Sequence, residues 1–143
     1  MAGERIVVVE DERLVALDVK NHLERFGYVV PRSFTRAEDA LAYIAGEQPH
    51  LVLMDIHLEG DLDGISAAEQ IRRDFDIPVI LLTAYADEAT IERARSSRPF
   101  AYLIKPFNGR ELRTSIVISL ERHNLEREVR ERQALLDTVV ENV

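Results

Sequence analysis

The chain of 143 residues contains no cysteine. This absence excludes disulfide bonds and thiolate metal sites, and it fits a protein of the reducing cytoplasm, where we expect this one to work. No apolar run approaches the roughly 20 residues that a membrane-spanning helix needs, so no membrane segment is expected. The chain enters an apolar strand almost at its first residues, so no signal peptide is expected.

Positive charge is also scarce. Lys and Arg number 18 against 26 acidic residues, and the formal net charge is -8. Binding to nucleic acids depends on neutralising phosphates with Lys and Arg, so general nucleic-acid binding is not expected. A chain of this length predicts one domain with a sizeable core and room for one appended element.

Five short apolar runs organise the sequence, at residues 6–9, 28–30, 51–55, 78–82 and 100–104. Apolar runs without alternation are typical of strands that are covered on both faces, as in parallel sheets. Helical stripes separate the runs; Val15, Val19 and Leu23, for example, follow each other at intervals of four. The alternation predicts an α/β fold, a (βα)5 doubly wound five-stranded parallel sheet in the order 2-1-3-4-5.

Polar residues predict where the helices begin and end. Residues 35–38 have the Ser/Thr-x-x-Glu form of a capping box for the second helix, which Gly46 would end. Asp87 is the expected cap of the fourth helix. Asn108, followed three residues later by Glu111, predicts the start of the fifth helix.

Acidic residues follow two strands that are neighbours in the predicted order. Glu10 and Asp11 come directly after the first strand, and Asp55 ends the third. In a doubly wound sheet these positions meet in one crevice at the carboxyl edge, which Thr83 and Lys105 would close from the fourth and fifth strands. The alternative is that Glu10 and Asp11 only cap the first helix, where carboxylates are also favoured.

Three carboxylates in one crevice repel each other unless a cation compensates them. Oxygen ligands with open positions favour magnesium, which often pairs with phosphate. The ammonium of Lys105 and the hydroxyl of Thr83 would contact an anion beside the metal. A carboxylate nucleophile with these neighbours is equipped to accept a phosphoryl group, so we interpret Asp55 as a phosphoryl acceptor.

The chain resembles the receiver domain of two-component response regulators over roughly residues 4 to 122. The matching features are the acidic pair Glu10-Asp11, the strand-end Asp55, Asp63-Gly64 at the third helix, Thr83-Ala84, and Tyr102 with Lys105-Pro106-Phe107. Their complete set, in this order, makes the resemblance specific. It implies a CheY-like, flavodoxin-like fold with a receiver domain at residues 1–122.

The resemblance also implies a role for each residue of the set. Asp55 would be phosphorylated by a histidine kinase or a phosphotransfer protein, and the chain would not be an enzyme in the ordinary sense. Mg²⁺ (or Mn²⁺) would be held by Glu10, Asp11, Asp55 and the backbone carbonyl of His57. Lys105 would bind the phosphoryl group, and Thr83 and Tyr102 would form the switch. The peptide bond before Pro106 is expected to be cis.

Two other functions remain open for these residues. A haloacid-dehalogenase-type hydrolase also attacks with a strand-end aspartate, but it carries a second Asp two residues on, where this chain has His57. A phosphate-independent, receiver-like dimerisation module is the other alternative. The loop from Asp55 to Asp63 is one residue longer than the usual family form, and Glu59 and Asp61 in it could add an acid to the metal site.

The helical pattern continues past Leu120 into an extension at residues 123–143. Apolar residues at alternating steps of three and four make a heptad-like stripe, interrupted by Arg122 and Arg132. The stripe consists of Ile118, Leu125, Val129, Leu136, Val139 and Val143. We expect a homodimer through this helix or through the face of helix 4, strand 5 and helix 5; a helix folded back on its domain or standing free in solvent is the alternative.

Two further expectations concern the same part of the chain. Residues 135–143 resemble the lead-in helix of a PAS sensor domain, so the chain is expected to come from a multi-domain sensory protein. His22, His50 and His123 are expected on the surface, and His123 lacks the sequence surroundings of a kinase's phospho-accepting histidine.

Overall fold

The computed structural model describes residues 3–84, 88–96 and 99–141. Within them five strands alternate with five helices. The strands are β1 (Ile6–Val9), β2 (Ser33–Phe34), β3 (Leu51–Asp55), β4 (Val79–Thr83) and β5 (Ala101–Ile104). The helices are α1 (Arg13–Arg25), α2 (Ala37–Glu47), α3 (Gly64–Phe75), α4 (Glu88–Ser96) and α5 (Gly109–Glu141). The predicted cap Asp87 and the last stripe residue, Val143, lie outside the described residues.

The five strands form one parallel sheet in the order β2-β1-β3-β4-β5, which confirms the predicted fold and topology. The register pairs Val9 with Met54 and Thr83 with Ile104. The residues that follow β1, β3, β4 and β5 are therefore level with each other at one edge of the sheet. This edge is where the sequence places its acids, its threonine and its lysine.

The core consists of two layers, one on each face of the sheet. Val7 and Val9 pack with side chains of α2 and α3, whereas Ile6 and Val8 pack with side chains of α1 and α5. All four residues of β1 are completely buried. Burial on both faces is the reason these strands read as continuous apolar runs rather than as alternating ones.

The predicted position of the second strand, residues 28–30, was wrong. Val29 makes only an isolated bridge with Arg5, and the regular pairing with β1 begins at Ser33. Pro31 lies between these positions and has no N–H to donate to the ladder. The sequence offset between paired residues grows by one from the Arg5–Val29 pair to the Val8–Ser33 pair, so one residue of this edge segment is bulged out.

Both predicted ends of the second helix were also wrong. The N-cap is Arg36, without a side-chain capping bond, because Arg36 stays extended and pairs with Glu59. The Glu38 carboxylate, expected to complete a capping box, instead accepts the backbone N–H of Leu62 at 3.2 Å. At the other end the helix continues past Gly46, and Gln48 takes the left-handed conformation with φ 33°.

The fifth helix begins as predicted and is 33 residues long. The Asn108 side chain accepts the backbone N–H of Glu111 at 2.8 Å, which satisfies one of the free donors at the helix start. His123, expected on the surface, is only 7% exposed, because it packs against Phe100 and the end of α3. Among the described residues, no helix combines the length and the apolar character needed to cross a membrane.

The cap of α3 leads to a stability prediction. Asp63 accepts the N–H of Ser66 at 2.9 Å and pairs with Arg93 at 2.8 Å. Partial burial raises the pKa of Asp63, but the Ser66 hydrogen bond and the Arg93 guanidinium outweigh it, so that this pKa lies below its usual value. We expect Asp63→Ala to lower the free energy of unfolding near neutral pH by about 1 kcal/mol, the usual value of such a cap.

The same cap predicts a pH dependence with a definite sign. Because the pKa of folded Asp63 is depressed, its contribution is complete above the unfolded pKa of about 3.9 and disappears as the pH falls through the folded value. Urea unfolding of wild type and Asp63→Ala should therefore give curves that converge in acid. Asp74→Ala is the control, since Asp74 pairs with Arg73 at the surface. A constant gap across the pH range would contradict the prediction.

Candidate functional site

Three acidic side chains meet at the carboxyl edge of the central strands. Glu10 and Asp11 follow β1 and Asp55 ends β3, and one carboxylate oxygen of each lies within 4.8 Å of the others. Glu10 is 1% exposed and Asp55 is 4% exposed, so two of the three charges are almost without water contact. Among the described residues, these three acids form the one cluster of at least three acidic or histidine side chains that could hold a metal ion.

Lys105 lies opposite the acids, at the end of β5. Its Nζ donates to Glu10 Oε2 at 2.7 Å and to Asp55 Oδ2 at 3.2 Å. The backbone N–H of Lys105 donates to the Thr83 carbonyl at 2.7 Å, which continues the β4–β5 pairing to the site. The Lys105–Pro106 peptide bond is cis. The sheet thus brings a cation from its outer half to the acids of its centre.

Backbone N–H groups hold the remaining oxygens of the buried acids. Glu12 N–H donates to Glu10 Oε1, and His57 N–H donates to Asp55 Oδ1, both at 3.2 Å. The His57 side chain is exposed above the site. Each buried carboxylate is therefore fixed at both oxygens, and the Asp55 side chain is oriented before any ligand arrives.

The buried charges change each other's acidity. Burial raises the pKa of Glu10 to about 7; the charge of Asp55 acts in the same direction, and the Lys105 hydrogen bond only partly opposes them. Burial lowers the pKa of Lys105, but its bonds and charge pairs with Glu10 and Asp55 outweigh this and raise it overall. The lysine therefore stays a cation, and the acids are held together at an electrostatic cost.

Gly64 brings α3 very close to the end of β3. Its N–H donates to the Ile56 carbonyl at 3.0 Å, and a Cβ built on Gly64 would overlap the Asp55 carbonyl oxygen. Glycine is therefore required by space at this position. Spacing and charge alone did not identify this requirement, although the Asp63-Gly64 pair was part of the family resemblance.

The donor set fits a hard divalent cation. Three carboxylates and one ammonium leave two formal negative charges, which Mg²⁺ or Mn²⁺ would balance with its preferred oxygen ligands. The extra acids of the following loop, Glu59 and Asp61, are both exposed and do not join the group. The Glu38–Leu62 bond and the Arg36–Glu59 bridge hold that loop against the start of α2 instead.

The remaining predicted site residues lie beside the acids rather than among them. Thr83 ends β4 and is 6% exposed. Tyr102, on β5, is 42% exposed, so it is neither a plain core residue nor a freely solvated one. Both line a cavity of about 220 Å³ between the sheet and α4, together with Ala94 and Ile104. This cavity adjoins the site on the side of α4.

Comparison with known proteins identifies relatives along most of the chain. The family model of the response regulator receiver domain matches residues 6–117. The transcriptional regulatory protein PdtaR of Mycobacterium tuberculosis is 32% identical over 118 residues, which are 82% of this chain and 57% of that protein. The probable transcriptional regulator ycf27 of Guillardia theta is 33% identical over 121 residues, 85% of this chain and 47% of that protein. The chain spans about half the length of these relatives.

Solved structures support the same relationship. The signal receiver domain of a modulated diguanylate cyclase from Desulfovibrio desulfuricans G20 matches with a TM-score of 0.82 and 34% identity, covering 86% of this chain and 98% of that one. NtrX from Brucella abortus matches with a TM-score of 0.83 and 29% identity, covering 92% of this chain and 30% of that one. The chain therefore belongs to the response regulator receiver domain family of two-component signalling.

Proposed function

We propose that the chain is a phospho-accepting receiver in which Asp55 takes a phosphoryl group from a histidine-phosphate donor. The observation that carries this proposal is the position of Asp55, in reach of Glu10, Asp11 and the Lys105 ammonium in one almost closed crevice. Receiver domains in general bind Mg²⁺ and are not classical enzymes. We propose that Glu10, Asp11, Asp55 and the His57 carbonyl hold the metal here.

The transfer is a displacement at phosphorus. One carboxylate oxygen of Asp55 forms the new O–P bond while the N–P bond of the donor breaks, and the imidazole nitrogen keeps the electron pair of that bond. When bound, the metal neutralises the carboxylates and the incoming phosphate oxygens. Lys105 moves its hydrogen bonds from the acids to a phosphoryl oxygen, and His57 N–H keeps Asp55 oriented. The protein contributes position and charge, which is what phosphoryl transfer requires.

The Thr83 hydroxyl and Tyr102 are the proposed readout of that transfer. Thr83 would move toward the phosphoryl group and donate a hydrogen bond to it. Its displacement would leave room for Tyr102 to turn from its half-exposed position into the cavity of about 220 Å³ that both residues line. The surface made by α4, β5 and α5 would change in this way, and α5 leads directly into the extension at residues 123–143.

The test of the proposal uses a small phosphodonor such as acetyl phosphate. Intact mass spectrometry should find one added phosphoryl group when magnesium is present, and much less after chelation with EDTA. A chain that binds magnesium and is never phosphorylated would favour the dimerisation module instead. Multiple turnover of a phosphate ester would favour the hydrolase, although that class needs an acid where this chain has His57.

The donor is proposed to dock on an apolar rim beside the site. Leu14 on α1 is 83% exposed, although it is apolar, and Leu17 is 53% exposed. A cleft of about 520 Å³ lies between this part of α1 and the Lys105-Pro106-Phe107 segment. Exposed apolar groups beside a functional cleft are typical of a protein interface. The partner expected here is a histidine kinase or a phosphotransfer protein.

Leu14→Glu separates docking from chemistry. We expect it to slow phosphorylation by a phosphohistidine protein about tenfold, since an anchoring side chain of an interface contributes on the order of 1.4 kcal/mol, which is a factor of ten. Phosphorylation by acetyl phosphate should not change, because Leu14 lies on the exposed surface of α1, outside the group of acids. Leu135→Glu, at a similarly apolar exposed position on the far part of α5 and outside the heptad-like stripe, is the matched control. Equal rates for Leu14→Glu and wild type with the protein donor would contradict the proposed rim.

We also propose that residues 1–122 are the receiver and that residues 123–143 are an extension through which two copies associate. Within the described part of that extension the apolar stripe lies open to solvent: Leu125, Val129 and Leu136 are each more than half exposed. Arg122, one of the charges that interrupt the stripe, pairs with Glu126 and lies near the Phe100 ring. Light scattering with and without a beryllofluoride mimic tests whether the dimer forms and depends on phosphorylation.

We also propose that the chain is part of a longer, multi-domain protein, which fits the greater length of the relatives.

A further inference from the structure

The helix α5 begins on the receiver body and continues beyond it. The buried face of α5 contains Leu112, Ile116, Ser119 and His123. From Asn124 to Val139 every side chain of the helix is exposed. At a rise of about 1.5 Å per residue, this exposed part is more than about 20 Å long. Something must decide the direction in which such a long helix points.

Asp76 contacts the helix at that exit point. It follows α3 as its C-cap, in the left-handed conformation with φ 54°. Its backbone carbonyl accepts the Nε2–H of His123 at 2.8 Å, and its carboxylate lies 3.5 Å from the same ring. The other carboxylate oxygen accepts Nη2–H of Arg130 at 2.8 Å. One residue of the body thus holds two residues of α5.

The distance between the two contacts along α5 allows them to define the direction of the helix. His123 and Arg130 are seven residues apart in sequence, which is about two turns or about 10 Å along the helix. A single contact would act as a pivot and leave the helix free to swing, whereas two contacts separated along the axis also define its direction. Arg130 is otherwise an exposed side chain on a part of the helix whose side chains are all exposed.

The surroundings strengthen the first contact. Phe100, just before β5, meets the His123 ring edge-on with the ring centres 5.7 Å apart. Arg122 lies over the same phenyl ring at 5.9 Å. The His123 side chain is therefore enclosed by α3, the start of β5 and its own helix. It fixes the base of the exposed segment, and the Arg130–Asp76 pair fixes its tilt.

We propose that Asp76, with His123 and Arg130, is a latch that sets the direction in which α5 leaves the receiver. The latch lies at the opposite end of α3 from Asp63, so it is separate from the phosphorylation site and does not depend on the proposed function. Its role is positioning: it couples movements of the body to whatever the extension carries. Without the latch the helix would swing freely, and movements of the body would not change the position of the extension.

Pulsed EPR distances between two spin labels test the latch directly. The chain has no cysteine, so Asn21→Cys on α1 and Ala134→Cys on α5 give one label on the body and one on the extension. The labelled chain is diluted with excess unlabelled chain, so that only distances within one chain contribute. Ala134 lies about 16 Å beyond His123 along the helix, so a swing of about 20° moves its label by roughly 6 Å.

Asp76→Asn and Arg130→Gln should each broaden or shift the distance distribution relative to the otherwise native labelled chain. Asparagine also tolerates the left-handed conformation, so Asp76→Asn keeps the cap of α3 while it removes the charge. Asp74→Asn and Arg130→Lys are the matched controls and should leave the distribution unchanged. Arg130→Gln, which alters only an exposed side chain, keeps the test valid if Asp76→Asn changes the stability of the fold.

Two results would overturn the proposal. Unchanged distributions in Asp76→Asn and Arg130→Gln would mean that the Arg130–Asp76 pair does not hold the helix, so that no two-point latch exists. A change in Asp76→Asn without any change in Arg130→Gln would mean that the Asp76 carboxylate acts on the His123 end of the helix and not through Arg130, so that the second contact of the latch does not exist. Thermal unfolding of Arg130→Gln should match the native chain, which separates a positioning role from a purely stabilising one.

Discussion

Asp55→Asn should abolish phosphorylation completely, whereas the native chain should gain one phosphoryl group from acetyl phosphate and magnesium. An amide oxygen carries no charge and is not a competent nucleophile toward phosphorus, and the change also removes one ligand of the proposed metal. Intact mass spectrometry measures the outcome. The expected effect is loss of the product rather than a slower rate, because among Glu10, Asp11 and Asp55 the proposal gives only Asp55 the role of attacking oxygen.

The same variant should keep its fold. The new amide retains an oxygen for the Lys105 ammonium, and the change removes one of two buried charges that repel each other. We therefore expect Asp55→Asn without metal to be at least as stable as the native chain in urea. Asp61→Asn, which alters an exposed acid in the following loop, is the matched control and should be phosphorylated normally. Phosphate on Asp55→Asn would show that another residue is the acceptor.

Among the glycines that the structure describes, Gly64 is the one whose replacement by alanine should destabilise the fold most. The new Cβ would overlap the backbone carbonyl of Asp55, which belongs to a completely buried strand and cannot move aside cheaply. Overpacking of this kind costs roughly 1–3 kcal/mol and occasionally more, and contact with backbone places Gly64→Ala at about 3 kcal/mol. Urea unfolding followed by circular dichroism measures the change in the free energy of unfolding.

Gly46→Ala is the control, with the opposite sign. Gly46 lies inside α2, and a Cβ there would meet nothing within 4 Å. Alanine in a helix interior is favoured over glycine by roughly 0.5–1 kcal/mol, so this variant should be more stable than the native chain. Equal stabilities of the two alanine variants would mean that the close approach of Gly64 to Asp55 does not constrain the fold. If the Gly64→Ala chain folds, it should also be phosphorylated poorly, because the added Cβ would displace Asp55 at the end of β3.

The topology of the sheet and the candidate site were both predictable from local patterns. β1, β3 and β4 contribute to the core on both faces of the sheet, and such strands leave an apolar run in any sequence that forms them. Parallel strands end at the same edge, so residues directly after the runs must lie together. Glu10, Asp55 and Lys105 are close in the structure for this reason, and no information on side-chain packing was needed to expect it.

Local signals failed where a distant contact outweighed them. The capping box of residues 35–38 did not form, because Arg36 pairs with Glu59 and Glu38 binds the N–H of Leu62. The edge strand begins at Ser33 because Pro31 interrupts its pairing with β1. A capping preference is worth about 1 kcal/mol, so one or two contacts from elsewhere in the chain are enough to override it.

The sequence by itself determined the order of the strands, the location of the acids and the lysine, and the helical character of the extension, because each depends on the repeat of apolar residues along a short segment. Only the tertiary structure decided that His123 is buried and that Asp76 holds α5. Asp76 and Arg130 are 54 residues apart in sequence, and neither has a neighbour in the sequence that indicates the pairing. Contacts of this kind arise from the way two finished helices cross, which no local pattern encodes.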